Sequence, residues 1–275
     1  MAMNLAAKYS AKVDEKFTKE SFTEAAVNKD YEWTGVKTIS VYGVDTVAMG
    51  NYTRTGLARY GTAAELGNTK TDYTLSRDRA FTFAIDRGNQ QETMGVMEAG
   101  KALARQLREV VIPEVDTYRL AAMSAAAITN GHTATAAITA SNAYVKFLAA
   151  QEALDEDKVP VGGRIAFVTP AYYNFIKQDT SFQLASEIAM EKRINGQVGD
   201  IDGVKIVKVP SSYFPASHAF ILCHPVATVA PKKLEDYKTH DNPPGINGWL
   251  VEGRQIYDAF VLTNKVNALF AHKIA

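Results

Sequence analysis

The sequence predicts an α+β protein made of extended elements, and three observations carry that expectation. Residues 69–89, TKTDYTLSRDRAFTFAIDRGN, alternate with a period of two: Tyr73, Leu75, Phe81, Phe83 and Ile85 fall on odd positions, and Thr74, Ser76, Ala80, Thr82 and Ala84 on even ones. That is the period of a half-buried strand. The period then changes, and Val96, Ala99, Leu103, Leu107 and Val110 form a helical stripe with Gly100, Ala104 and Val111 widening it. Beyond residue 160, short apolar runs alternate with helical segments.

At the amino-terminal end, Leu5, Tyr9, Val13 and Phe17 recur every four residues, which suggests a short amphipathic helix followed by an irregular arm to Phe22. Residues 35–55 are rich in Val, Ile, Thr and Tyr, as strands are. Residues 56–70, GLARYGTAAELGNTK, hold three glycines and read as a flexible tip. Two long runs joined by such a tip make an extended hairpin, each arm roughly 17 residues and up to about 50 Å at ~3.3 Å per residue. Arg77 and Arg79 share the apolar face of the second arm, and Asp78 points the other way. A hairpin alone is marginal in water, and a long uncovered edge invites pairing with other chains. The two arginines are therefore expected to meet carboxylates of another subunit.

The helical stripe predicts a straight helix over 93–112, with Ile112 pushed out of the helical region by Pro113 and a second helix over 114–127. Glu114 suits the start of that second helix. Residues 129–141 read as a small polar loop and 142–154 as a helix. GRIAFVTP is a short buried strand, with Thr169 as cap and Pro170 as first turn of the helix AYYNFIKQ. FQLASEIAMEKRI reads as another helix, NGQVGDIDG as a turn or hairpin loop, VKIVKVP and HAFILCHP as strands, and residues 248–274 as two final strands.

Composition and motifs exclude several function classes. Lys+Arg and Asp+Glu are both 30, so the net charge of +0 argues against a strongly basic nucleic-acid binder. Cys223, the only cysteine, lies in the apolar run AFILC, where its role is core packing. No signal peptide and no apolar run of about 20 residues is present, so a soluble protein made in a reducing cytoplasm is expected. No phosphate-binding loop, dinucleotide fingerprint, nucleophile elbow, zinc helix or C-x-x-C occurs. The five histidines are scattered and show no ligand spacing, and Asp200 and Asp202 in GDIDG lack the length and closing glutamate of a calcium loop. LDEDK, residues 154–158, reads as a solvated helix end. Arg77, Asp78 and Arg79 do not converge on one pocket. No catalytic, metal or cofactor site is expected, and the protein is not read as an enzyme.

The order of arm, long hairpin, long helix, compact α/β region and returning strands resembles the major capsid proteins of tailed bacteriophages with the Hong Kong 97-type fold. VVIPEVDTYR, GVKIVKVP and FVLTNKVNALFAHK carry the same resemblance. It implies an amino-terminal arm over 1–34, a first part of a peripheral domain over 35–127 with an E-loop at 48–80 and a spine helix at 93–112, an axial domain over 128–240, and a return to the peripheral domain over 241–275. It also implies a structural protein that self-assembles, as pentamers and hexamers, into the icosahedral head enclosing the phage genome. The E-loop side chains Arg59, Glu65, Lys70, Arg77, Asp78 and Arg79 are then expected at intersubunit contacts. Only about 35 residues precede the first strand, so a separate scaffolding protein is expected. A portal, weak non-specific contact with packaged DNA through phosphates, assembly in the host bacterial cytoplasm and no membrane contact complete that picture. Some members crosslink through a Lys–Asn isopeptide bond, for which Lys70 with Asn264 or Asn267 has the right residue types. The competing readings are an encapsulin-like shell enclosing cargo enzymes and, in a different class, an α/β enzyme.

Overall fold

The computed structural model describes residues 21–28, 30, 31, 38–63, 65–92, 98–179 and 199–275. After a 3-10 turn at Glu24–Ala26, β1 (Thr38–Val44) pairs antiparallel with β2 (Asn68–Thr74). Next come β3 (Arg77–Asp86), α1 (Arg87–Glu92), α2 (Ala99–Gln106), a π turn (Leu107–Val111) and α3 (Ile112–Thr129). The chain continues through β4 (Thr133–Thr135), α4 (Ala143–Glu156), β5 (Ile165–Val168) and α5 (Pro170–Gln178). It closes with β6 (Asp200–Ile201), β7 (Val204–Lys208), β8 (His218–Cys223), β9 (Thr228–Val229), β10 (Lys232–Asp241), β11 (Gly248–Tyr257), β12 (Phe260–Val261) and β13 (Leu269–Lys273). The helices expected over 4–17 and 182–194 lie outside the described residues.

A six-stranded sheet of order β4-β13-β8-β5-β7-β6 forms one core. Every residue of β5 and β8 is buried, as a strand covered on both faces requires. Alternate residues serve the two faces. Ala166, Val168, Phe220, Leu222 and Phe270 pack on Phe147 and Leu154 of α4 and Tyr172 and Ile176 of α5. Ile165, Phe167, Ile221, Cys223, Leu269 and Ala271 pack on Leu120, Met123 and Ala127 of α3. Thr169 caps α5 as expected, its hydroxyl accepting from the Tyr172 N–H, with Pro170 in the first turn. Asp202 and Gly203, both at positive φ, turn β6 into β7.

A three-stranded sheet of order β10-β11-β3 forms the second core. Phe81, Phe83 and Ile85 face α2 beside Tyr237 and Val251, and meet Leu103 and Leu107. The parity in the sequence placed these three residues correctly on the helix.

Three expectations need correction. The helix does not break at Pro113. Ile112 keeps helical angles, φ −60° and ψ −49°, and its N–H reaches back to the Leu107 carbonyl. The wider π turn absorbs the strain that a proline without an N–H places on the preceding turn, so the helix runs from Ala99 through Thr129. Second, residues 69–89 are not one strand: β2 pairs with β1, and β3 pairs with β11. Third, the boundaries at 128–240 and 241–275 do not follow the sheets. β10 shares its sheet with β3 and β11, while β13 lies inside the six-stranded sheet between β4 and β8. The buried run of β13 needs cover on both faces, which only the larger sheet supplies. Residues 133–135, expected as loop, form the short β4 because the edge of β13 is there to pair with.

Candidate intersubunit surface

Between β1 and β2 the chain runs from Asp45 to Gly67 with no regular element among the described residues. Of the thirteen large hydrophobic side chains exposed among the described residues, eight lie between Tyr42 and Leu66: Tyr42, Val44, Val47, Met49, Tyr52, Leu57, Tyr60 and Leu66. That concentration separates the loop from the rest of the described surface, which holds only the other five. The loop nevertheless has internal order. The Asp45 N–H donates to the Gly67 carbonyl at 3.1 Å and the Thr53 N–H to the Arg59 carbonyl at 3.0 Å. Arg59 Nε donates back to the Gly56 carbonyl at 3.2 Å, and Tyr52 and Tyr60 meet edge to face at 5.0 Å. This closed segment presents Leu57, fully exposed, at its apex. Arg59 and Glu65 are exposed on the loop, and Lys70 lies on β2 beside Asp72 at 3.2 Å.

Where β2 gives way to β3 the contacts are dense. Leu75 is buried with Val229 and Leu262. The Ser76 N–H and hydroxyl both donate to Asp258 Oδ2, at 2.7 and 2.8 Å. The Tyr118 hydroxyl and the Ala259 N–H donate to Asp258 Oδ1, at 2.6 and 2.8 Å. Within the chain Arg79 finds a carboxylate and Arg77 an aromatic ring. Arg79 Nε donates to Glu114 Oε1 at 2.7 Å, and the Tyr257 hydroxyl donates to the same oxygen at 3.0 Å. Arg77 lies over the Tyr118 ring at 4.3 Å. Asp78, on the opposite face as its parity requires, accepts two bonds from Arg254, at 3.0 and 2.6 Å. Glu114 and Tyr118 stand one helical turn apart on α3, close enough for the first residues of β3 to reach both. Glu114 was singled out only as a helix start, and neither Tyr118 nor Asp258 was singled out in the sequence, where they sit 140 residues apart.

The charges follow this geometry. Partial burial works to raise the Glu114 carboxyl, but the hydrogen bonds from Arg79 and Tyr257 outweigh it and hold it below its ordinary range. The Arg254 hydrogen bond lowers Asp78. Burial, then the Glu114 charge, raises the Tyr257 phenol. The two asparagines are also placed. Asn267 donates to Asp157 Oδ1 at 3.0 Å and accepts from Asn130 at 2.7 Å. Asn264 packs against Gly43, where an added Cβ would lie 2.6 Å from its amide nitrogen.

A family model described as phage capsid protein matches residues 70–270, well over half of the chain. The chain belongs to the phage capsid protein family. This capsid protein carries the Hong Kong 97-type fold. A structure from Mycobacterium phage Che8 superposes with a TM-score of 0.68 at 17% identity, covering 92% of this chain and 90% of that one. The capsid structure of the cyanophage P-SCSP1u gives 0.69 at 15% identity, with 88% and 84% covered. The virus-like particle from Pyrococcus furiosus gives 0.57 at 9% identity, with 98% and 100% covered. No curated protein matches the sequence. The capsid protein is a structural component of the phage head, a shell built by self-association. No group of metal-ligating side chains occurs among the described residues, and no helix among them is long and apolar enough to cross a membrane.

Proposed function

We propose that this capsid protein tiles a closed icosahedral head as pentamers and hexamers, with the 45–67 loop laid on a neighbouring copy. The observation that carries this reading is the cluster of apolar side chains that stay exposed on this loop among the described residues. Burying one such side chain against a partner returns about 1.5–3 kcal/mol, so several per subunit, repeated over a shell, favour assembly strongly. Arg59 and Glu65 supply polar contacts around the apolar ones, and Lys70 lies near the neighbour as well. Arg77, Asp78 and Arg79 hold the base of the hairpin on its own body, and any contact they make with a neighbour is secondary to that.

Family membership supports the remaining parts of the reading: a separate scaffolding protein, a portal, assembly in the host bacterial cytoplasm, and a role without catalysis. The net charge of +0 fits weak, sequence-independent contact with packaged DNA through phosphates. A shell enclosing protein cargo is the competing reading, and the match to phage capsid proteins favours the genome-enclosing one.

The test is Leu57→Asp. The variant subunit is expected to fold as the parent does and to form no shells in negative-stain images or by light scattering. Assembly of Leu57→Asp at the parental rate overturns the reading, as does a parent chain that stays monomeric with scaffolding protein added.

A further inference from the structure

We infer that Asp258 is the positioning residue that aims the 45–67 loop, fixing the direction in which the β1–β2 hairpin leaves the body of the subunit. The inference rests on the reading of that loop as an assembly element, but its measurement does not. The chain changes sheets between Thr74 and Arg77, and no ladder hydrogen bond spans the change. Beyond it the hairpin has one apolar footing, Leu75 against Val229 and Leu262, with Tyr73 and Phe260 alongside. Apolar contact is not directional and leaves the swing of the hairpin loosely set. On β2 the Tyr73 hydroxyl accepts from the Thr263 N–H at 3.2 Å, and at the junction itself the directional contacts end on one carboxylate, Asp258.

Asp258 is 2% exposed, and its four accepted hydrogen bonds fill the capacity of a carboxylate. Two come from Ser76, at the junction itself, one from Tyr118 on α3 and one from Ala259. The backbone that carries it is held as well, the Asp258 N–H donating to the Pro231 carbonyl at 3.2 Å. One buried group thus ties the junction to the long helix and to the end of β11. An amide cannot replace it. If the NH2 of an asparagine faces Ser76, it opposes the Ser76 N–H. If it faces the other way, it opposes the Ala259 N–H. Either orientation leaves a backbone donor facing a donor.

The test is a distance measurement by double electron–electron resonance on the full chain, diluted with unlabelled chain so that only distances within one subunit are read. Nitroxides are placed at Leu57→Cys and Lys205→Cys, both exposed. Cys223 is buried and its thiol pushed up to about 12, so it takes no label. The parent is expected to give one narrow distribution, and Asp258→Asn to lose it for a broad one. A control pair at Val145→Cys and Lys205→Cys is expected to stay narrow in both backgrounds. Should Asp258→Asn fail to fold, Ser76→Ala with Tyr118→Phe removes two donors, keeps the carboxylate, and is expected to broaden the same distribution. A distribution that stays narrow at Leu57 in the variants overturns the inference, and so does equal broadening of the control pair. Loss of the narrow peak without any effect on shell formation supports the inference and counts against the assembly role of the loop.

Discussion

Gly253→Ala adds one methyl group where the three-stranded sheet lies on the long helix. Gly253 stands opposite Phe81 on β3 and opposite Tyr237 on β10, and the two rings stack over it with centroids 6.2 Å apart. An added Cβ would lie 2.4 Å from Phe81 Cε1 and Cζ and 2.9 Å from Tyr237 Cδ1. Carbon atoms settle at about 3.5–4.0 Å, so the Phe81 ring must retreat by more than about 1 Å. An extra methylene in a packed core costs about 1–3 kcal/mol. A gap of about 120 Å³ beside the ring, bounded by Val110, Val111 and Gln255, gives it somewhere to go and sets the expected cost at the lower end of that range. For a chain of this length each kcal/mol lowers the melting temperature by about 2–4 °C. Urea unfolding of the dissociated subunit should show a lower midpoint at unchanged slope. Phe81→Leu, which lacks the clashing ring edge, should cost less in the Gly253→Ala background than in the parent, with a coupling above about 0.5 kcal/mol in the double-mutant cycle. A neutral Gly253→Ala, or two changes that simply add, would refute the reasoning.

Two other sites give separable outcomes. Asp116 is fully buried and accepts from Ser21 Oγ, the Phe22 N–H and Thr23 Oγ1 at 2.6, 2.9 and 2.6 Å, while Arg119 donates to Thr23 and Glu24. Asp116→Ala should cost about 3–5 kcal/mol, as losing one partner of a buried charged network does, and should expose the segment around residues 21–28 to trypsin. Unchanged urea stability together with an unchanged digestion pattern would remove the clasp from the account. His272 is buried against Phe220, with ring centroids 5.2 Å apart, and among the described residues neither ring nitrogen makes a hydrogen bond of good geometry, the Lys273 backbone beside it having only a minor effect. Burial, then the charge of Lys146, lowers it from 6.5. Because the unfolded chain takes up that proton first, the contribution is complete above about pH 6.5 and is lost as pH falls from there through the lowered folded value. His272→Leu should flatten stability in that window, by at most about 1.4 kcal/mol per pH unit, and an unaltered slope in urea titrations across it would count against the assignment.

The parts of the fold legible in the sequence are those set by local chemistry. The cap and proline at Thr169 and Pro170, the turn at Asp202 and Gly203, and the helix-facing side of Phe81, Phe83 and Ile85 all depend on neighbours within a few residues. What the sequence hid depends on partners far along the chain. The odd-position rhythm runs unbroken through Leu75 and Ser76, yet the strand changes sheets there, because alternation reports which face is buried and not which strand lies beside it. For the same reason Arg77 and Arg79 looked in need of partners from another subunit, when Tyr118 and Glu114 are brought to them by α3. Pro113 misled for a different reason. Its effect on the preceding turn is real, but a π turn relieves it without ending the helix. The run KKLEDYKTHD, rich in charge on both strand parities, gave little sign that it pairs with β11. The exposed apolar loop was visible as a glycine-rich tip, but only three dimensions show that Leu57 and Met49 are fully exposed among the described residues.

The interior place of β13 has a consequence for biosynthesis. β4 and β8 are neighbours of β13 and not of each other, so on a ribosome both carry bare edges until residues 269–273 emerge. Nascent chains stalled before that point would offer the open flank of β8, six consecutive buried residues, to any strand nearby. Nascent subunits crowded on one messenger are therefore at risk of pairing wrongly with one another before each sheet is complete. Chaperone demand during expression should then track the delay in producing the last strand more closely than the stability of the finished subunit.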